Sequence, residues 1–188
     1  MQVRKIKQLM DEATIMATIA EMVEQVITEF QSELANLQFM GIVTHGLPIA
    51  QKAADIFEQK TGKTVLVSPL LIKIYNDDLS HARPVGELLK NPKNFKGKIL
   101  IIWDDVAWTL ATLEKSFAII TANAQPQKII FAVLIDRYDW HDPDKASFAP
   151  QIVGRRQSTT SQQIVKVCFT ETYDNETAVW LCQKEEIK

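Results

Sequence analysis

Between Asp11 and Leu34 the apolar residues Ile15, Ile19, Met22, Val23, Val26, Ile27, Phe30 and Leu34 recur at helical spacing with no Pro or Gly among them. That period predicts one long amphipathic helix. The short apolar run Leu37–Val43 predicts a strand, and after a Gly-Pro turn the residues Ile49, Ala53, Ile56 and Phe57 mark one face of a second helix. Thr64–Tyr75 is rich in Val, Leu and Ile and predicts another strand, with Pro69 placing its first part at an edge or bulge. Asn76–Lys96 is polar and carries Pro84, Gly86 and Pro92, the mark of a mobile excursion with one helical turn near Val85–Lys90. Ile99–Trp103 and Ile129–Ile135 are unbroken apolar runs, as expected of parallel strands covered on both faces, and Leu110–Ala124 supplies the helix between them.

Strands alternating with helices in this way predict an α/β fold with a doubly wound parallel sheet. After Asp136 the pattern changes. Tyr138–Ser161 is polar, aromatic and Pro-containing, and two β-like runs follow, Ile164–Thr170 and Thr177–Cys182. These predict a small C-terminal hairpin, or a hood over the edge of the sheet. With 188 residues, 46% of them hydrophobic, the chain has material for one substantial core. Residues 1–188 are therefore expected to form one domain, with residues 136–188 as hood and hairpin.

No apolar run approaches the roughly 20 residues that span a bilayer, and the N-terminal segment is not signal-like, so a cytoplasmic protein without a membrane span is expected. Cys168 and Cys182 stand far apart with no metal-binding spacing, and read as plain buried residues. A formal net charge of -2 offers no general attraction for a polyanion.

In open parallel sheets ligands bind beyond the carboxyl ends of the strands. The strand from Ile99 runs into Asp104 and Asp105 and then through Val106, Ala107, Trp108, Thr109, Leu110 and Ala111 to Thr112. Two adjacent acids at a strand end can clamp two vicinal hydroxyls, as on a ribose. A turn of free N–H groups at a helix start, flanked by hydroxyls, can seat a phosphate. Together they predict a site for a 5-phosphoribosyl group. The same residues also fit a plainer reading, in which the acids and Thr109 only cap a helix.

Trp103-Asp-Asp-Val-Ala-Trp-Thr-Leu-Ala-Thr112 is similar to the type I phosphoribosyltransferase signature, which in the PyrR family reads approximately Val-Asp-Asp-Val-Leu-Tyr-Thr-Gly-Arg-Thr. Gly41-Ile-Val-Thr-His-Gly46 resembles that family's Gly-Ile-x-Thr-Arg-Gly, Ile74-Tyr-Asn-Asp-Asp-Leu-Ser80 its Leu-Tyr-Arg-Asp-Asp-Leu-Ser, and Ala132-Val-Leu-Ile-Asp-Arg137 its Ala-Val-Leu-Val-Asp-Arg. The chain thus resembles the PyrR proteins, which are uracil phosphoribosyltransferases and pyrimidine-operon attenuators, over nearly its whole length. The resemblance implies a type I phosphoribosyltransferase sheet. It also implies a catalytic pair Asp104 and Asp105 on the ribose hydroxyls, with residues 106–112 as the phosphate loop. Thr44, His45, Gly46 and Arg137 would hold pyrophosphate, Tyr75, Asp77, Asp78 and Ser80 would open the mobile loop, and Asp136 would lie near magnesium.

Departures from the family pattern shape the functional expectation. Leu110 stands at the Gly of the phosphate loop and Ala111 at the following Arg, and a Leu there either reshapes the loop or turns its side chain elsewhere. The hood pattern Asp-Arg-Gly-His-Arg-Glu-Leu-Pro becomes Asp136-Arg-Tyr-Asp-Trp-His-Asp-Pro143, with the loss of positive charge. The resulting expectation is a PyrR-like protein with impaired catalysis, acting as a phosphoribosyl- or nucleotide-binding subunit or through a protein partner or homo-oligomer. An active uracil phosphoribosyltransferase using magnesium is the second reading. An RNA-binding pyrimidine regulator is the third, and RNA is not expected as a partner.

Overall fold

The computed structural model describes residues 2–72, 85–86 and 92–185. In chain order these form β1 (Gln2–Met10), α1 (Glu12–Glu29), β2 (Leu37–Ile42), α2 (Gly46–Thr61), β3 (Val67–Leu71), β4 (Val85–Gly86), β5 (Ile99–Ala107), α3 (Ala111–Asn123), β6 (Lys128–Asp136), β7 (Ile152–Arg156), β8 (Gln163–Cys168) and β9 (Ala178–Glu185). The main sheet has the order β4-β3-β2-β5-β6-β7, and five neighbouring strands of it, β3 to β7, run parallel.

The apolar runs take their continuity from burial on both faces. In β5, Ile99, Ile101 and Trp103 enter the core shared with α1 and α2, while Leu100 and Ile102 enter the core under α3. Strand periodicity of two sends alternate residues to opposite faces, so a strand covered by helices on both sides must be apolar throughout. Asp11 caps α1 by accepting from Thr14 N at 2.8 Å. The helix ends at Glu29, short of the predicted Leu34, and a 3-10 turn at Leu34–Asn36 brings the chain into β2.

Pro69 sits where the pattern places it. Leu66 and Leu70 carbonyls accept from Phe39 and Val43 N, so Pro69, one residue out of phase, faces away from β2 toward the edge. There, among the described residues, β4 pairs antiparallel with Leu70 and Leu71. Val85 and Gly86 are therefore strand rather than the expected helical turn, and the rest of that expectation lies outside the described residues.

Three elements differ from the pattern. β5 runs on to Ala107, which puts both acids inside the strand rather than after it. β7, carrying only two apolar residues before Gly154-Arg-Arg156, is a fifth parallel strand that its composition hides. The C-terminal hairpin β8–β9 is part of a three-stranded antiparallel sheet, completed by β1. β1 is mostly exposed and so has no hydrophobic stripe; main-chain pairing holds it, with Lys5 reaching Glu176 and lying over the Trp180 ring at 4.7 Å. No described helix is long and apolar enough to cross a membrane.

Candidate functional site

At the carboxyl edge the loop after β2 meets β5. The Val43–Thr44 peptide is cis, and Gly46 opens α2 against the Trp103 carbonyl, where an added Cβ would overlap that oxygen. Glycine lets the loop lie this close to the acid pair. His45 stands between two carboxylates, with Nδ1 3.7 Å from Asp105 and Nε2 3.5 Å from Asp174. Thr44 is exposed beside it.

Asp104 is buried and Asp105 half-buried. Asp105 N donates to Asp104 Oδ1 at 3.0 Å, and Val106 N to Asp105 Oδ1 at 2.8 Å. Burial, with the Asp105 charge second, pushes the Asp104 carboxyl well above the usual carboxylate range. Neither acid caps α3, and neither does Thr109. The N-cap is Leu110, which makes no side-chain cap bond and leaves the first-turn N–H groups of α3 without that partner.

Leu110 answers the question posed by its sequence. Its backbone is left-handed, φ 64° and ψ 0°, the conformation for which glycine is the usual residue. The isobutyl group turns away from the loop into the core under α3, and the residue is only 2% exposed. The loop keeps a glycine-type shape while the side chain packs elsewhere. Asp104 to Leu113 then line a cleft of about 370 Å³, closed by Arg137 and by Ile164 and Val165 of β8.

Arg137 is buried, and burial lowers its pKa below the ordinary guanidinium value, with Asp139 opposing. Its Nε and Nη2 donate to Thr159 Oγ1 at 3.0 and 2.8 Å, and its guanidinium carbon lies 5.0 Å from the Trp108 ring and 5.8 Å from that of Trp140. Such stacking partly compensates a buried cation.

The structure brings together Asp104, Asp105, residues 106–112, His45 and Gly46. Arg137 lines the same cleft from the β6 side. Thr44 to Gly46 follow β2 and Arg137 follows β6, and these strands flank β5 on opposite sides. Asp136 lines a neighbouring cavity rather than this cleft. Its Oδ1 lies 2.6 Å from His141 Nε2 and its Oδ2 3.8 Å from Arg156 Nε, so both oxygens already face partners. Among the described residues no group of three or more His, Cys, Asp or Glu is placed to hold a metal by itself. Tyr75, Asp77, Asp78 and Ser80 lie outside the described residues.

Residues that carried no sequence signal complete the site. Asp174, in the turn between β8 and β9, is held below the usual carboxylate range; burial opposes this, but the Phe169 N–H and the Thr172 hydroxyl prevail. Lys52 of α2 pairs with Glu171 of the same turn. These contacts set the β8–β9 turn over the edge. Trp140 is half-buried with its indole N–H on Thr159 O at 3.0 Å, and Trp108 and Tyr138 are exposed.

Known proteins share this fold and part of this sequence. A family profile described as Phosphoribosyl transferase domain matches residues 5–185. The curated protein named Bifunctional protein PyrR of Elusimicrobium minutum is 31% identical over 180 residues, covering 95% of this chain and 97% of its own. Its namesake in Thermus aquaticus is 33% identical over 161 residues, 85% of this chain and 86% of that one. Among solved structures, a hypoxanthine phosphoribosyltransferase of Staphylococcus aureus superimposes with a TM-score of 0.72 at 16% identity, over 94% of this chain and 90% of that one. The Trypanosoma cruzi hypoxanthine phosphoribosyltransferase gives 0.72 at 13% identity, over 96% and 98%. The fold and the sequence relatives together place this chain in the PyrR family of phosphoribosyltransferase-fold proteins.

Proposed function

We propose that the cleft from Asp104 to Thr112 binds a 5-phosphoribosyl group, as phosphoribosyl pyrophosphate or a nucleotide, and that transfer from it is strongly weakened. The observation that carries binding is the left-handed Leu110 with its side chain buried. A phosphate can then approach the N–H groups at the start of α3, flanked by Thr109 and Thr112, without meeting the isobutyl group. Asp104 and Asp105 would take the two ribose hydroxyls. The whole chain would act as one unit, with residues 136–188 covering the site.

Weakened transfer follows from two anchors. Phosphoribosyl transfer develops positive charge on the ribose, and its rate depends on fixed groups holding phosphate and pyrophosphate in place. Ala111 supplies no charge at the phosphate end, and His45 is already engaged by Asp105 and Asp174. Thr44 to Gly46 would still offer a pyrophosphate a loop, on the β2 side of the ribose. The chemistry of magnesium, when it is bound with the substrate, is to neutralise the diphosphate leaving group.

Active uracil phosphoribosyl transfer is the second reading, favoured by the intact acid pair. Membership of a family whose curated members are named bifunctional gives no support to the expectation that RNA is not a partner. Calorimetry with ribose 5-phosphate and phosphoribosyl pyrophosphate, beside a uracil turnover assay on wild type and Asp105→Asn, decides between the readings. Binding with little turnover is expected. Robust turnover lost in Asp105→Asn would establish the enzyme, and absence of binding would refute both.

A further inference from the structure

The hood substitutions do not act in the phosphoribosyl cleft alone. Tyr138 and His141, two of the residues that depart from the family pattern, line a separate cavity of about 610 Å³ with Asp136, Ala149, Pro150, Arg156 and Ser158. That volume lies within the ordinary range of small-molecule sites. The cavity opens at the carboxyl ends of β6 and β7, one strand beyond the acid pair. Asp136 and Arg137 are consecutive, yet Asp136 lines this cavity and Arg137 lines the cleft. Between the two stand the indole of Trp140, bonded to Thr159 O, and the Thr159 hydroxyl, bonded to Arg137.

The lining has a definite chemistry. The Asp136 side chain is 4% exposed and sits between two partners, His141 Nε2 at 2.6 Å and Arg156 Nε at 3.8 Å. A buried carboxylate against one imidazole nitrogen orients the ring and leaves Nδ1 as its other polar atom. Arg156 meets that carboxylate through Nε at 3.8 Å, and its side chain is 72% exposed, so its terminal nitrogens can fork an oxyanion. The half-exposed Tyr138 ring and Pro150 offer flat apolar contact. Arginine has no acceptor and favours an anion; a neutral imidazole whose Nε2 donates to Asp136 accepts at Nδ1.

We propose that this cavity is a second ligand site, separate from the phosphoribosyl cleft, for a nucleotide-like anion. Its phosphate is held by Arg156, a hydroxyl or ring N–H is received by His141, and its ring lies against Tyr138.

Titration of the full-length protein with uridine monophosphate and with inorganic phosphate tests this. Two uridine monophosphate sites are expected in the wild type. Arg156→Gln, at an exposed side chain, removes one of them, and Thr109→Asp, which puts a carboxylate in the phosphate seat, removes the other. Tyr138→Ser should weaken the nucleotide at the second site about tenfold, or about 1.4 kcal/mol, and leave inorganic phosphate unchanged. A single site that survives Arg156→Gln overturns the proposal, as does residual binding in Thr109→Asp that Arg156→Gln fails to abolish. A single site lost in Arg156→Gln but kept in Thr109→Asp upholds it and instead removes the phosphoribosyl reading. No binding at all overturns both.

Discussion

Leu110 is where backbone strain and core packing compete, and replacing it separates the two. A left-handed backbone costs a residue with a Cβ about 1–2 kcal/mol. Burying the leucine side chain returns roughly 1.5–3 kcal/mol, which is how Leu can hold a glycine conformation. Leu110→Ala keeps the strain, loses the burial and leaves a cavity, so it should cost about 2–5 kcal/mol. Leu110→Gly loses the same packing but relieves the strain, against about 0.5–1 kcal/mol for the greater freedom of glycine in the unfolded chain. Glycine should therefore match alanine or exceed it by up to about 1.5 kcal/mol, whereas in a right-handed helical position it would be about 1 kcal/mol worse. Urea unfolding midpoints of the two variants, at equal slopes, give the comparison. A glycine variant less stable than the alanine variant by about 1 kcal/mol would show that residue 110 is not left-handed. The argument for an open phosphate seat would then fail with it.

Because the loop already has a glycine-type shape, charge rather than glycine should limit phosphate affinity at the proposed seat. Ala111→Arg alone should tighten ribose 5-phosphate about tenfold in calorimetry, the size of one charge-assisted hydrogen bond. Gly154→Ala should destabilise by about 1–3 kcal/mol in urea unfolding, since its Cβ would lie 2.7 Å from both Leu134 O and Thr18 Cγ2 and force β7 from α1. Asp104 sets a pH dependence. Its carboxyl is raised from 3.8, so the folded protein holds that proton more tightly than the unfolded chain. The stability it contributes is complete below pH 3.8 and is lost as pH rises through the folded value. Asp104→Asn should flatten that decline and raise the neutral-pH Tm of the ligand-free protein, and an unchanged Tm profile would contradict the assigned burial.

The residue pattern made the helices α1 to α3 and the strands β2, β3, β5 and β6 legible, because each carries a hydrophobic period that burial imposes on it. It also determined which strand end bears the acids and that a helix start follows them. β1 and β7 were hidden for the complementary reason: an exposed strand and a short edge strand are held by main-chain pairing, which leaves little trace in side-chain pattern. The surroundings of single residues emerged from packing. Arg137 and Asp136 are adjacent in sequence but enter different cavities, so their motif could not say that one stacks between tryptophans and the other grips His141 and Arg156. Asp174 reaches His45 from 129 positions away, through a turn whose own sequence is ordinary. At Leu110 the sequence posed two outcomes of equal standing, a reshaped loop or a redirected side chain. The choice between them rested on whether a leucine-sized space existed under α3, and that is a property of the packed core rather than of any local stretch of chain.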